Sequence, residues 1–216
     1  MLLLLIRHGL TAHTGVKLSG WTPGIPLSEV GRAQAEKLVE RFAGLAVDAV
    51  YSSPLDRTWQ TAGPLARERK LKITKRTEIG EVRYGDMEGK ALRTLAKGPL
   101  WRKLNAWPSD VRFPNGESLR ETQTRAVAAI ERLRSEHPGK TVAVFSHGDW
   151  IRLAMAHYSG MHIDLYRRLS IDPVSVSALQ FHEMGVLVRR VNDTGALGDL
   201  SSSQRPAAAR ARSGRS

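Results

Sequence analysis

The chain of 216 residues contains no cysteine. That absence removes disulfide scaffolds, thiolate zinc sites, iron–sulfur ligation and a cysteine nucleophile together, and it fits a cytoplasmic address. Long hydrophobic runs are missing as well. The apolar opening Leu2–Ile6 falls far short of the roughly 18 uncharged residues that a membrane span requires. It lacks a preceding basic region and runs straight into Arg7-His8-Gly9, so it reads as a buried strand rather than a leader. No membrane association is expected. Acidic residues are scarce relative to basic ones, 21 against 33, for a net charge of +12. Such an excess attracts polyanions and small phosphorylated molecules over a distance without choosing between them. What remains is ordinary for a soluble globular protein, with 41% hydrophobic and 25% charged residues, enough to build a core.

The end of the chain has a different character. From Ser201 onward it holds Ser, Ala, Gly, Pro and four arginines (Arg205, Arg210, Arg212, Arg215), with no acid and no apolar periodicity. Residues 199–216 are therefore expected to be a disordered basic tail on a single domain of residues 1–198.

Within that domain strands and helices alternate. Leu2–Ile6 is a continuous apolar run of the kind buried on both faces. A Gly-, Pro- and Thr-rich loop follows to Pro26, then Ser28 caps a helix with Ala35, Leu38, Val39 and Phe42 at helical spacing. Val47–Tyr51 predicts a second strand, about 55–69 a helix, and 71–75 a third strand. Ser118 and Glu121 form a capping box before a helix that stops near Pro138-Gly139. Thr141–Phe145 is another strand, followed by a helix to about Tyr158. Val176–Phe181 and Val186–Val191 read as a hairpin. The stretch of about 82–117, rich in Gly, Pro and aromatics, reads as an irregular insertion or lid. The fold class is α/β: a three-layer α/β/α sandwich around a mostly parallel sheet.

Ligands of such sheets sit beyond the carboxyl ends of the strands. Two polar tripeptides fall there: Arg7-His8-Gly9 after the first strand and Ser146-His147-Gly148 after a later one. A neutral imidazole is a nucleophile toward phosphorus, and a neighbouring guanidinium neutralises the oxygens of a transferring phosphoryl group. Taken alone, His8 is as readily a structural strand-end histidine. Arg57, in the first turn of its helix, and Gly148, at the start of another, add positive ends and an N–H donor. Thr11 and Ser146 offer hydroxyls that serve a phosphate or merely their own turns.

The order of these segments resembles a known family. Arg7-His8-Gly9-x-Thr11 is similar to the signature of the histidine phosphatase superfamily, whose fold is called phosphoglycerate mutase-like. Pro26-Leu27-Ser28-x-x-Gly31-x-x-Gln34-Ala35, Tyr51-Ser52-Ser53-Pro54-Leu55-x-Arg57-x-x-Gln60-Thr61-Ala62, Glu81-x-x-Tyr84-Gly85-x-x-Glu88-Gly89, Gly116-Glu117-Ser118 and Ser146-His147-Gly148 follow in the family's order. The resemblance implies that His8 attacks phosphorus, that Arg7, Arg57 and His147 hold the phosphoryl oxygens, and that Glu81 protonates the leaving oxygen. Glu88 and Asp86 are nearby rivals for that last role. It further implies no metal and no cofactor. Thr14 stands where the family commonly has asparagine, and Pro23-Gly24-Ile25 stands where an acidic residue often precedes Pro-Leu.

Phosphoglycerate mutases of the superfamily usually carry Glu-Ser after Arg-His-Gly and a longer insertion. Leu10-Thr11 and the short insertion here favour hydrolysis of a small phosphorylated metabolite over phosphoryl transfer between positions. Trp21, Tyr84, Trp101, Trp107, Lys17, Arg83, Lys90 and Arg93 are candidates to line the entry. Two rivals from other classes are weaker. A metal-dependent hydrolase built on His8, His13, His147 and Asp149 lacks any clustered ligand motif, and a nucleic-acid-binding module lacks interleaved aromatics. A homodimer is the default expectation for assembly.

Overall fold

The computed structural model describes residues 1–197 and Leu200. Six strands form one sheet in the order β3-β2-β4-β1-β5-β6: β1 (Leu2–Arg7), β2 (Ala49–Ser52), β3 (Ile73–Lys75), β4 (Thr141–Ser146), β5 (Val176–His182) and β6 (Gly185–Asp193). The first four pair in parallel, and the β5–β6 hairpin adds antiparallel strands on one edge. The mostly parallel α/β architecture read from the sequence is therefore present.

Successive side chains of a strand point to opposite faces, and β1 is apolar at every position because both faces are covered. Leu2, Leu4 and Ile6 pack toward α1 (Glu29–Arg41) and α2 (Asp56–Glu68), beside Leu38, Phe42, Ala62 and Leu65. Leu3 and Leu5 pack on the opposite face toward α5 (Leu119–Glu136) and α6 (Gly148–Tyr158), beside Ala126, Ile130, Trp150 and Ile151. The capping box at Ser118 and Glu121 is formed in both directions, which starts α5 where the sequence places it. Helix α2 continues through Pro64, which is buried on its inner side.

The segment expected to be irregular holds two short helices, α3 (Leu92–Leu95) and α4 (Pro99–Ala106). The start signal for α4 lay in the Gly98-Pro99 pair, since a proline in the first helical position loses no hydrogen bond. A third apolar cluster, including Val82, Tyr84, Leu104, Phe113, Leu153 and Tyr166, seats this segment on α6. Of the tail, Leu200 is buried with the α1–α2 layer, while 198–199 and 201–216 lie outside the described residues. Among the described residues no helix is long and apolar enough to cross a membrane.

Candidate active site

Arg7 ends β1 and Ser146 ends β4, and the two are register partners in adjacent parallel strands. Their successors His8 and His147 therefore meet, with ring centroids 5.3 Å apart at 63°. The β1–α1 loop is held by residues that carry no chemistry. Ser28 Oγ donates to the Leu10 carbonyl (3.1 Å), Gln34 Oε1 accepts from the Leu10 N–H (3.0 Å), and Thr61 Oγ1 accepts from the Gly9 N–H (3.0 Å). Gly31 lies against this loop, and a Cβ there would stand 2.0 Å from the Leu10 carbonyl oxygen. Gly31→Ala is accordingly expected to cost about 3 kcal/mol of stability, the upper range for overpacking. Its urea midpoint should fall together with turnover, since the loop that must shift carries His8.

The rings have assignable tautomers. His8 Nδ1 lies 2.7 Å from the Gly9 carbonyl, which only accepts, so Nδ1 carries the proton and Nε2 keeps its lone pair. His147 Nδ1 is 3.2 Å from an Arg57 guanidinium nitrogen, which only donates, so the proton sits on Nε2, 2.9 Å from Ser53 Oγ. Burial, then the Arg57 guanidinium, pushes both imidazoles well below the ordinary histidine value, with Arg7 adding to the effect. Both are neutral at pH 7.

Arg57 is 2% exposed, donates to the Gly20 carbonyl at 2.7 Å, and leaves its Nε buried without an acceptor. Arg7 donates to the Ile171 carbonyl, and its Nε is likewise buried without an acceptor. Two guanidinium groups with orphaned donors, in one cavity of about 230 Å³ beside His8, leave an anion as the missing partner.

Glu81 closes the other side. Its Oε1 accepts from the backbone N–H groups of Val82 (3.0 Å) and Trp150 (3.1 Å), the latter in the first turn of α6. Burial, then the negative charge of Asp149, lifts its pKa to about 7. Burial would raise Asp149 too, but Arg152, at 2.7 Å, and the Tyr84 hydroxyl, donating at 2.7 Å, hold it below the usual carboxylate range. One proton shared between two buried carboxylates therefore resides on Glu81. The rivals are engaged elsewhere, Glu88 accepting from the Tyr84 N–H and Asp86 from the Asn115 side chain.

The backbone under Glu81 is clamped. Arg125 donates to the carbonyls of Glu78, Gly80 and Glu81 and pairs with Glu117 at 2.8 Å. Trp21 Nε1 donates to the Glu81 carbonyl at 2.7 Å, so that ring positions the acid instead of lining the entry. Tyr84, Trp101 and Lys17 do line the cavity, along with Gly148. Arg83 stacks on Trp21, and Trp107 is 65% exposed away from the cavity. Thr11 lines the cavity, but its hydroxyl is engaged by Thr14 Oγ1 (3.1 Å) and the His13 N–H (3.2 Å). Thr14 thus ties the loop together at the position where the resemblance expected asparagine. Ser146 Oγ donates to the Ile79 carbonyl, a structural bond. Among the described residues no three His, Asp or Glu side chains group as metal ligands, so His8, His13, His147 and Asp149 do not converge as such a set.

Residues 3–194 match the model of the histidine phosphatase superfamily, branch 1. The chain belongs to the histidine phosphatase superfamily. Phosphoserine phosphatase 1 of Hydrogenobacter thermophilus is 29% identical to it over 200 residues, 92% of this chain and 95% of that one. Phosphoglycerate mutase-like protein 4 of Arabidopsis thaliana is 29% identical over 155 residues, 69% of this chain and 67% of its own. The solved alpha-ribazole phosphatase of Shigella flexneri superposes with a TM-score of 0.80 at 27% identity, covering 91% of this chain and 98% of that one. Membership in this superfamily, with phosphatases among the relatives, supports phosphatase activity for the chain.

Nothing local in the sequence settles the roles of Asp149, Arg152 and Arg125 around Glu81. Tyr84, an entry candidate by sequence, lines the cavity and also holds Asp149, a metal-ligand candidate by sequence. The available signals are Asp149 two residues after His147 and a Glu117–Arg125 spacing that lets an acid just before α5 face an arginine within it.

Proposed function

We propose that this histidine phosphatase hydrolyses phosphomonoesters without a metal, through a phosphohistidine on His8. The observation that carries the reading is the His8 tautomer: the Nδ1–H bond to Gly9 leaves the Nε2 lone pair in a cavity with two unsatisfied guanidinium donors.

In the first half-reaction Nε2 attacks phosphorus in line, the Nε2–P bond forms, and the P–O bond to the alcohol breaks. Glu81, protonated below about pH 7, passes its proton to the departing oxygen. Arg7 and Arg57 neutralise the phosphoryl oxygens as charge spreads over them. His147 reaches an oxygen by shifting to its other neutral tautomer, with the Ser53 hydroxyl donating to Nε2 and Nδ1–H donating to the phosphoryl group in place of accepting from Arg57, and the Gly148 N–H adds the end of α6. In the second half-reaction water attacks phosphorus, the Glu81 carboxylate takes a water proton, and the P–Nε2 bond breaks. Ester and water become alcohol and phosphate, and every group returns to its starting state.

The direct test is hydrolysis of p-nitrophenyl phosphate in excess EDTA. The expected result is turnover unaffected by the chelator. Activity lost in EDTA and restored by a divalent cation would overturn the metal-free scheme. Interconversion of phosphoglycerates without release of phosphate would replace hydrolysis by mutase chemistry.

A further inference from the structure

A second cavity, of about 260 Å³, adjoins the catalytic one. Leu18, Trp101, Leu104 and Phe113 line both. The two differ sharply in character. The catalytic cavity is faced by Arg7, Lys17, Arg57, Glu81, Arg152 and Arg167, whereas Lys90 is the one charged residue among those lining the second. Beyond the shared wall the second cavity is bounded chiefly by Met87, Leu95, Pro99 and Leu100, all from the segment that carries α3 and α4.

The side chains at their junction are well held. Phe113 is 2% exposed and meets the Tyr84 ring edge-on at 4.9 Å, and the Tyr84 hydroxyl is bonded to Asp149 beside the Glu81 carboxyl. Leu18 belongs to the loop after His8, and that loop is laced to the chamber's roof: Leu18 N–H donates to the Lys90 carbonyl (3.0 Å), Gly89 N–H to the Leu18 carbonyl (2.8 Å), and Leu92 N–H to the Val16 carbonyl (2.9 Å). The chamber is thus tied to the His8 loop through Leu18 and to the Tyr84–Asp149 pair beside Glu81 through Phe113. Apolar walls around unfilled space forgo dispersion contacts that an apolar group of the right size restores.

We infer that this chamber receives the hydrocarbon part of the substrate's alcohol, so that the enzyme selects phosphomonoesters of apolar alcohols several carbons long over those of small polar ones. The inference rests on the phosphatase reading of the adjoining cavity. The four shared side chains supply the occupant, because they set the chamber next to an ester held by its phosphate at His8, whose alcohol is the part left outside the phosphate contacts.

The test is a series of n-alkyl phosphates from ethyl to hexyl, in which leaving-group basicity barely changes and kcat/KM reads the fit of the chain. A rise of about fourfold per methylene is expected, the transfer value of one CH₂, so that hexyl exceeds ethyl on the order of a hundredfold. Leu95→Trp, which fills the chamber from a wall that the catalytic cavity does not share, should reduce that ratio to below about tenfold. A flat series, or a ratio retained in the folded variant, overturns the inference. Affinity of the intact chain for hexylphosphonate against methylphosphonate, measured by calorimetry, reads the chamber without turnover or substitution, and equal affinities overturn it as well. Tighter hexylphosphonate binding with no hydrolysis of any ester, p-nitrophenyl phosphate included, would instead sink the phosphatase reading and leave the chamber's preference standing.

Discussion

His8→Ala is expected to lower turnover of every ester by roughly 10⁵-fold or more, the scale on which removal of an attacking nucleophile acts. The loss should fall on kcat, because Arg7 and Arg57 still offer their donors to the phosphate. Binding of inorganic phosphate should persist in the variant. The wild-type enzyme, quenched during turnover of a labelled ester, should carry phosphate in a linkage that survives alkali and is lost in acid, as a P–N bond is. His8→Ala should carry none. An alkali-labile adduct, or one retained without His8, would move the nucleophile to another side chain and undo the scheme built on the Nδ1 bond to Gly9.

Glu81→Gln has the second largest expected effect, and its size depends on the ester. A general acid contributes typically 10²–10⁴-fold where the leaving oxygen needs its proton, so hexyl phosphate should lose about that much. p-Nitrophenyl phosphate, whose leaving group departs as a stable anion, should lose far less in kcat/KM, which reads the phosphorylation step, whereas kcat falls for both because the same carboxylate activates water in the second half-reaction. The pH profile carries the sign. The carboxyl of Glu81 is lifted to about 7 by burial and by Asp149, so the acid form predominates below that pH and is lost above it. Alkyl-ester hydrolysis should thus decline as pH rises through about 7, and Glu81→Gln should abolish that limb while leaving the p-nitrophenyl profile nearly unchanged. His8, held well below the ordinary imidazole value, stays neutral across the same range and does not produce the limb. The same linkage bears on stability. A carboxyl raised in the folded state makes folding less favourable as pH climbs from the ordinary 4.5 through about 7, and thermal midpoints of Glu81→Gln should lack that decline. An equal loss of kcat/KM across all esters would remove Glu81 from the acid role.

The parts of this arrangement that were legible in the sequence are those whose signal is local. β1 declared itself by an unbroken apolar run, α5 by its capping box, and the strand-end histidines by following β1 and β4 directly. The pairing of His8 with His147 needed only the parallel register of two adjacent strands. The helices inside 82–117 were obscured because α3 is four residues long, too short for any periodicity to build up. The charge balance at Glu81 was invisible for another reason. It depends on Asp149, Arg152 and Tyr84 arriving from different elements, and no spacing along the chain encodes which of two carboxylates keeps the proton. Trp21 shows the same limit, being an aromatic in a glycine-rich loop whose use is to hold one carbonyl. Gln34, Gln60 and Gly31 looked like motif positions without chemistry, and the structure gives each a mechanical duty around the His8 loop and the turn before α1.

The stem at which residues 82–116 leave the body and return separates two kinds of task. Glu117 N–H donates to the Arg83 carbonyl at 2.8 Å, Glu117 Oε2 accepts from the Arg83 N–H at 3.1 Å, and Gly116 fits there because a Cβ would stand 2.2 Å from that same carbonyl. Glu81 and the Arg125–Glu117 pair stand just outside this closure, and most of the apolar chamber's walls stand inside it. The excursion is thus an exchangeable cassette. Apart from Tyr84, which holds Asp149, its interior is free to diversify toward new alcohols over evolutionary time, or in a combinatorial library, while the sockets at 83 and 116–117 keep the bond-breaking apparatus in register.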